Sequence, residues 1–267
     1  MTQTDQESGV RELFGSGGEA YDARQYGARY RTCIADRQKL VSKVFRDLAQ
    51  PTGARVLDVA CGPGYFLVES ISLGYRAVGM DNSPSMLQTS RAKVDDRAQL
   101  VMADAFSMPF KTGTFDVVNS SGLIEYLPQP IPFIREMRRV LKPGSHALIS
   151  CTNRLSPALL LAPIIAAVRG SSTTARAVRA LNLPFDEMAL KRRRFRFTFH
   201  TPGHFVSMLS EAGFQHVKLH YYHLQLLPHP LDRIAPAAAT GFVALTDRAL
   251  SVPGMRVFAE GLLADAW

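Results

Sequence analysis

The chain predicts an α/β fold organised around a doubly wound, mostly parallel sheet. Three observations carry that expectation. Strand-like apolar runs alternate with helical patterns through the first 150 residues, several of those runs end in an acid, and the first of them meets a Gly-x-Gly turn that opens a helix.

The first helical pattern spans Asp36 to Ala49, with Leu40, Val41, Val44, Phe45 and Leu48 on one face, and Pro51 and Gly53 end it. The run Val56-Leu57-Asp58-Val59-Ala60-Cys61-Gly62-Pro63-Gly64-Tyr65-Phe66 then reads as a buried strand, a turn and a helix start. Glycine at such a turn tolerates positive φ and lets the backbone approach a ligand. Asp58 stands inside the apolar run, where a carboxylate is costly unless something nearby needs it. A dinucleotide fingerprint would require a third glycine, and Leu67 stands there instead.

A second strand ends at Asp81, about twenty residues past the glycine turn, an offset from which an acid can accept ribose hydroxyls. Ser83 and Pro84 follow as N-cap and first helical residue. A third strand near Gln99 to Met102 leads into Ala103-Asp104-Ala105. The fourth, Phe115 to Val118, runs into Asn119-Ser120-Ser121-Gly122, and Ile134 to Gly144 closes a helix before a fifth strand from Ala147 to Cys151.

The combination of Asp58, Gly62, Gly64, Asp81 and Asp104 in this order resembles the class I S-adenosylmethionine-dependent methyltransferases, and the Met108-Pro109-Phe110 and Arg139-Val140-Leu141-Lys142-Pro143-Gly144 segments look similar to the ubiquinone/menaquinone C-methyltransferase group. The resemblance covers roughly residues 20 to 152. It implies a seven-stranded Rossmann-like sheet with an N-terminal helical lid (1–50), a cofactor core (51–152), a cap insertion after strand five (153–198) and a C-terminal part of the core fold (199–267). It also implies S-adenosyl-L-methionine as cofactor. The residues it assigns to the cofactor are Tyr21, Asp58, Ala60, Gly62, Gly64, Asp81, Asn82, Met86, Asp104, Ala105 and Ser120, with Asp104 set against the adenine amino group. Tyr21 and Tyr26 are the tyrosines expected to face the pocket from the lid. Two departures matter: Tyr126 stands where the family often has His, and Asn119 to Gly122 lack the Asn/Asp-Pro-Pro-Tyr signature of many nucleic-acid-base and glutamine methyltransferases.

The 267 residues, 46% hydrophobic and 20% charged, describe an ordinary globular chain. Cys33, Cys61 and Cys151 form no C-x-x-C pair, which suggests a reducing compartment, and the polar N-terminus carries no secretory pattern. A cytoplasmic enzyme is expected. The histidines show no ligand spacing, so no metal is expected.

The acceptor must be read from the C-terminal half. Leu155 to Val168 is apolar but too short to span a bilayer, which takes ~20 residues. It suits a buried cap helix, an apolar acceptor pocket or a membrane surface. Between Arg169 and Arg196, eight basic residues face two acidic ones, a local +6 out of a formal +8. That charge suits an anionic bilayer, an acidic acyl-carrier protein, an anionic group on the acceptor or a merely solvated face. From Arg194 onward, alternation with Phe195, Phe197 and Phe199 predicts a half-buried strand. Thr201 and Pro202 predict a helix start, and His216 to Leu224 a sixth strand. Ser251 to Trp267 reads largely helical, ending in a short seventh strand or in a trimmed terminus. His200, His204 and Tyr126 are the candidate catalytic residues.

The function expected is therefore methyl transfer to a small, largely apolar or lipid-like biosynthetic acceptor, on oxygen, nitrogen or carbon. Two alternatives remain beside it: an RNA methyltransferase clamping phosphates with Lys191 to Arg196, and a non-catalytic cofactor-binding partner subunit.

Overall fold

The computed structural model of the protein describes residues 17–26, 33–157, 159–160, 197–224 and 248–267. Its centre is a seven-stranded sheet in the order β3-β2-β1-β4-β5-β7-β6. The strands are β1 (Arg55–Val59), β2 (Arg76–Asp81), β3 (Gln99–Met102), β4 (Phe115–Ser121), β5 (Leu141–Thr152), β6 (Val217–Tyr222) and β7 (Gly261–Ala266). All pairings are parallel except those of β7, which lies antiparallel between β5 and β6. The strand order reverses between β1 and β4. In an open α/β sheet, that crevice at the carboxyl ends of the strands is where ligands bind.

Seven helices are described: α1 (Gly18–Tyr26), α2 (Cys33–Asp47), α3 (Tyr65–Ser72), α4 (Pro84–Val94), α5 (Pro130–Val140), α6 (Pro202–Glu211) and the short α7 (Pro253–Arg256). The sheet is apolar on both faces because both are covered. Val56, Leu57 and Val59 of β1 have no measurable exposure, as a central strand under two helical layers requires. On one face, Phe133, Ile134, Met137 and Val140 of α5 interlock with Phe205, Met208 and Leu209 of α6. On the other, Val41, Val44 and Phe45 of α2 pack with Phe66, Leu148, Tyr222 and Leu263. Burying a side chain such as Phe45 is worth about 2–3 kcal/mol.

The caps form as the sequence predicts. The Ser83 hydroxyl accepts the Met86 amide hydrogen at 3.3 Å, with Pro84 at the first helical position. Thr201 caps α6 in the same way through the His204 amide, also at 3.3 Å.

Three expectations are corrected. Ser251 to Trp267 is not largely helical: Gly261–Ala266 is a fully buried seventh strand paired on both sides. Phe197 to Phe199 is not strand, and only His200 makes an isolated parallel bridge, to Asn153. Phe195 and the basic run before it lie outside the described residues. Strand β5 begins at Leu141, earlier than the apolar run suggests, because Phe115 of β4 already pairs with Leu141 across a register shift. The chain leaves β5 at Asn153, and His200 lies beside it in a parallel bridge. Asn153 itself is fixed by its side-chain amide, which donates to the carbonyls of Val257 and Ala259 at 2.7 and 2.8 Å.

Candidate active site at the switch point

The crevice is built from the ends of β1, β2 and β4. Asp58 is buried at the end of β1 and pairs in register with Gly79 of β2 and Asn119 of β4. The Asn119 side-chain amide donates to Asp58 Oδ1 at 2.6 Å, and the Ser121 hydroxyl donates to Asn119 Oδ1 at 3.1 Å. Burial pushes the Asp58 carboxyl up to about 7. The Asn119 hydrogen bond holds it down, while the negative charge of Asp81 pushes it further up.

The turn after β1 explains its two glycines differently. Gly64 has φ +85°, and a Cβ there would overlap the Ser90 hydroxyl on α4, so both conformation and space demand glycine. Gly62 has φ +49° with nothing within 4 Å of a would-be Cβ. Its open side faces free space, as a backbone left bare for a ligand would. Ala60, with φ +56°, is a non-glycine residue in the left-handed region on the same turn, a mark of local strain.

Asp81 ties the turn to β2. Its Oδ2 accepts the Gly62 amide hydrogen and its Oδ1 the Ser83 amide hydrogen, both at 2.9 Å. Burial raises this carboxyl, and the amides of Ser83, Gly62 and Asn82 offset part of the rise. With about four lone-pair sites and three amide donors, the carboxylate keeps room for one further hydroxyl donor.

The remaining expected residues are placed around this centre. Asn82 is exposed beside Asp81, and Met86 is buried in the first turn of α4. Asp104 is exposed after β3, its Oδ1 accepting the Phe106 amide at 2.8 Å, with Ala105 half-buried beside it. Ser120 is buried on β4, and among the described residues its hydroxyl has no hydrogen-bond partner. Tyr21 is half-buried on α1. The side chain of Tyr26 lies outside the described residues, as does Tyr30.

The catalytic candidates separate. His204 is exposed on the first turn of α6. His200 is buried, and burial together with the His204 ring 5.4 Å away holds its imidazole down at about 4, so it is neutral at pH 7. Its Nε2 has no hydrogen-bond partner among the described residues. Tyr126 is half-buried, its ring 5.1 Å from that of Phe197, which stacks on Phe199 at 5.9 Å. Among the described residues, no group of three His, Cys, Asp or Glu side chains is arranged to hold a metal.

Two residues of this region were not foreseen. Asn119 is one, and Glu125 the other. Glu125 is buried on the turn after β4, with Oε1 accepting the Thr152 hydroxyl at 3.0 Å. It sits beside Tyr126 in sequence, but nothing local marks it as different from a surface glutamate. On α2, Asp36 is buried and lies 2.8 Å from His223 Nδ1, at the end of β6.

Comparison with known proteins agrees with this geometry. Residues 57–149 match the family model described as a methyltransferase domain. The demethylmenaquinone methyltransferase of Lactococcus lactis is 29% identical over 168 residues, 60% of this chain and 63% of that protein. The ubiquinone biosynthesis O-methyltransferase of Xanthomonas oryzae is 35% identical over 119 residues, 42% of this chain and 48% of that one. The chain thus spans about half to under two thirds of the length of these curated relatives. The structure of magnesium protoporphyrin IX methyltransferase from Synechocystis, with S-adenosylhomocysteine bound, superposes with a TM-score of 0.60 at 15% identity, over 98% of this chain and 99% of that one. Residues 57–149 are thus similar to a methyltransferase domain, set in an α/β fold shared with that solved methyltransferase structure.

Proposed function

We propose that the chain transfers a methyl group from S-adenosylmethionine to a small, largely apolar biosynthetic acceptor. The observation that carries this reading is the meeting of Asp58, Asp81 and the Gly62 to Gly64 turn at the point where the strand order reverses. The residues present fit the cofactor. The bare side of Gly62 admits a ligand against the backbone, the Ser120 hydroxyl is buried and has no hydrogen-bond partner among the described residues, and Asp81 keeps a lone pair for a ribose hydroxyl. Asp104 and Ala105, just after β3, would border the base. When bound, the cofactor supplies a methyl group already activated on a sulfonium.

The protein's part is alignment and exclusion of water, which can lower a barrier by about 7–11 kcal/mol. Asp81 fixes the turn and the ribose together, and the Asp58 carboxylate opposes the cofactor's positive charge. The quinone-ring acceptors in the names of the two curated relatives support an apolar ring for this chain's acceptor as well. The basic stretch Arg169 to Arg196 would then receive an anionic group of the acceptor, or an anionic bilayer that holds it. Among the described residues, no helix is long and apolar enough to cross a membrane.

The test is incubation with methyl-labelled S-adenosylmethionine and, in parallel, a bacterial lipid extract and total RNA. Label recovered in the organic phase is the expected result. Label found only in RNA would replace this reading with the phosphate-clamp alternative.

A further inference from the structure

Helix α1 is fastened to the rest of the chain by polar contacts. No described side chain of α1 belongs to the apolar clusters that hold the sheet to its helices, and its run from Gly18 to Tyr26 has no apolar stripe to offer one. One fastening is a latch on three helices. The Lys93 ammonium of α4 donates to Asp22 Oδ2 of α1 at 2.6 Å, with both side chains largely buried. The same ammonium lies 5.0 Å over the ring of Tyr65, the first residue of α3. Burial, a hydrogen bond to Asp22 and the Asp22 charge push the Tyr65 hydroxyl up to about 12.

The other fastening is a close approach of backbones. Gly18 is buried, and a Cβ there would stand 2.5 Å from both the Ser85 carbonyl oxygen and Thr89 Oγ1 on α4. Ser85 lies two residues past Ser83, whose amide donates to Asp81. At the start of α3, Gly64 is in turn seated on Ser90 of α4. Helix α1 therefore bridges the two helices that open from the Gly62 to Gly64 turn and from Asp81, the two walls of the crevice.

On the methyl-transfer reading above, we propose that α1 is a strap closed by the latch of Asp22, Lys93 and Tyr65, and that its undocking sets the rate at which the cofactor leaves the crevice. Docked, the strap fixes the separation of the first turns of α3 and α4, between which Gly62 and Asp81 meet. Released, those turns lose their bridge while the apolar clusters beneath them stay intact. An ion pair near the surface is weak enough to break locally without unfolding the core, and elements with few buried apolar contacts open first. The coupling runs both ways: a ligand held more tightly under the docked strap must hold the strap docked by the same factor.

The experiment joins amide hydrogen exchange of the full chain, read over α1 and β1, to stopped-flow measurement of S-adenosylhomocysteine release. In the ligand-free chain α1 should exchange at least about tenfold faster than β1, and saturating S-adenosylhomocysteine should slow it. Asp22→Asn and Lys93→Met should each speed release about fivefold and leave exchange in β1 unchanged. The double variant should release no faster than either alone, because each change removes the same pair. Gly18→Ala should also speed release, although alanine favours a helix, since its methyl group has no room against Ser85 and Thr89. Exchange in α1 no faster than in β1, unchanged release from the single variants, additive effects in the double, a matching rise in β1 exchange, or slower release from Gly18→Ala would each overturn the latch. Failure of the wild-type chain to bind S-adenosylhomocysteine at all would instead sink the methyl-transfer reading beneath it, and exchange in the ligand-free chain would still judge the latch.

Discussion

At the scale of single residues, the site rests on carboxylates placed where carboxylates are expensive. Asp58 shows the cost directly. In the folded chain it keeps its proton up to about pH 7, whereas an unfolded aspartate releases it near 3.9. Between those values the native state binds more protons than the unfolded one. The contribution of Asp58 to stability is therefore fully present below about pH 4, declines as pH rises through that window, and is lost above about pH 7. Asn119→Leu removes the donor that favours the charged form, so it should extend the decline above pH 7. Melting temperatures of the ligand-free wild type and the variant between pH 5 and 8 test this. Parallel curves would show that the cross-strand pair does not set the Asp58 protonation.

At the scale of elements, the helices and strands of the cofactor half were legible because each carries a local mark. Ser83 with Pro84, and Thr201 with Pro202, announce helix starts, and both cap hydrogen bonds are present. Thr201→Ala should cost about 1 kcal/mol, seen as a fall in melting temperature of a few degrees, while Thr201→Ser should cost little. Strand β7 was harder to read for a physical reason. Gly261-Leu262-Leu263-Ala264-Asp265-Ala266 has neither β-branched residues nor alternation, since it is buried on both faces between two partners. Only the sheet makes it a strand. Leu263→Ala, which opens a cavity beside Phe45 and Tyr222, should destabilise the chain by about 2–5 kcal/mol in denaturant titration. A loss below 1 kcal/mol would place β7 outside the cooperative core. Asn119 and Glu125 were missed because their meaning is non-local. Asn119 matters through a register partner 61 residues away, and Glu125 through Thr152 and Arg37 on other elements. The alternation at Phe197 and Phe199 misled in the opposite sense, because Phe197 packs at a tilt against Tyr126 and stacks on Phe199 without a strand beneath them.

At the scale of the whole molecule, the two ligand sides differ in what the fold requires of them. The cofactor side sits on β1, β2 and β4 at the centre of the sheet, where register fixes each side chain. On the proposed reading, the acceptor side would gather segments far apart in sequence: α2, the turn after β4, the end of β5 and the return of the chain at Thr198 to His200. A common cofactor and a variable acceptor call for that division, one side built on strands and the other on connections. The central claim is that the crevice between β1, β2 and β4 holds S-adenosylmethionine through Asp81. Calorimetric titration with S-adenosylhomocysteine, of the wild type and of Asp81→Ala checked for folding by circular dichroism, tests it most directly. The wild type should bind one equivalent per chain. The variant should bind about 10- to 100-fold more weakly, the worth of charge-assisted hydrogen bonds of about 1.5–3 kcal/mol. No binding by the wild type, or equal affinity in a folded Asp81→Ala chain, would contradict the account.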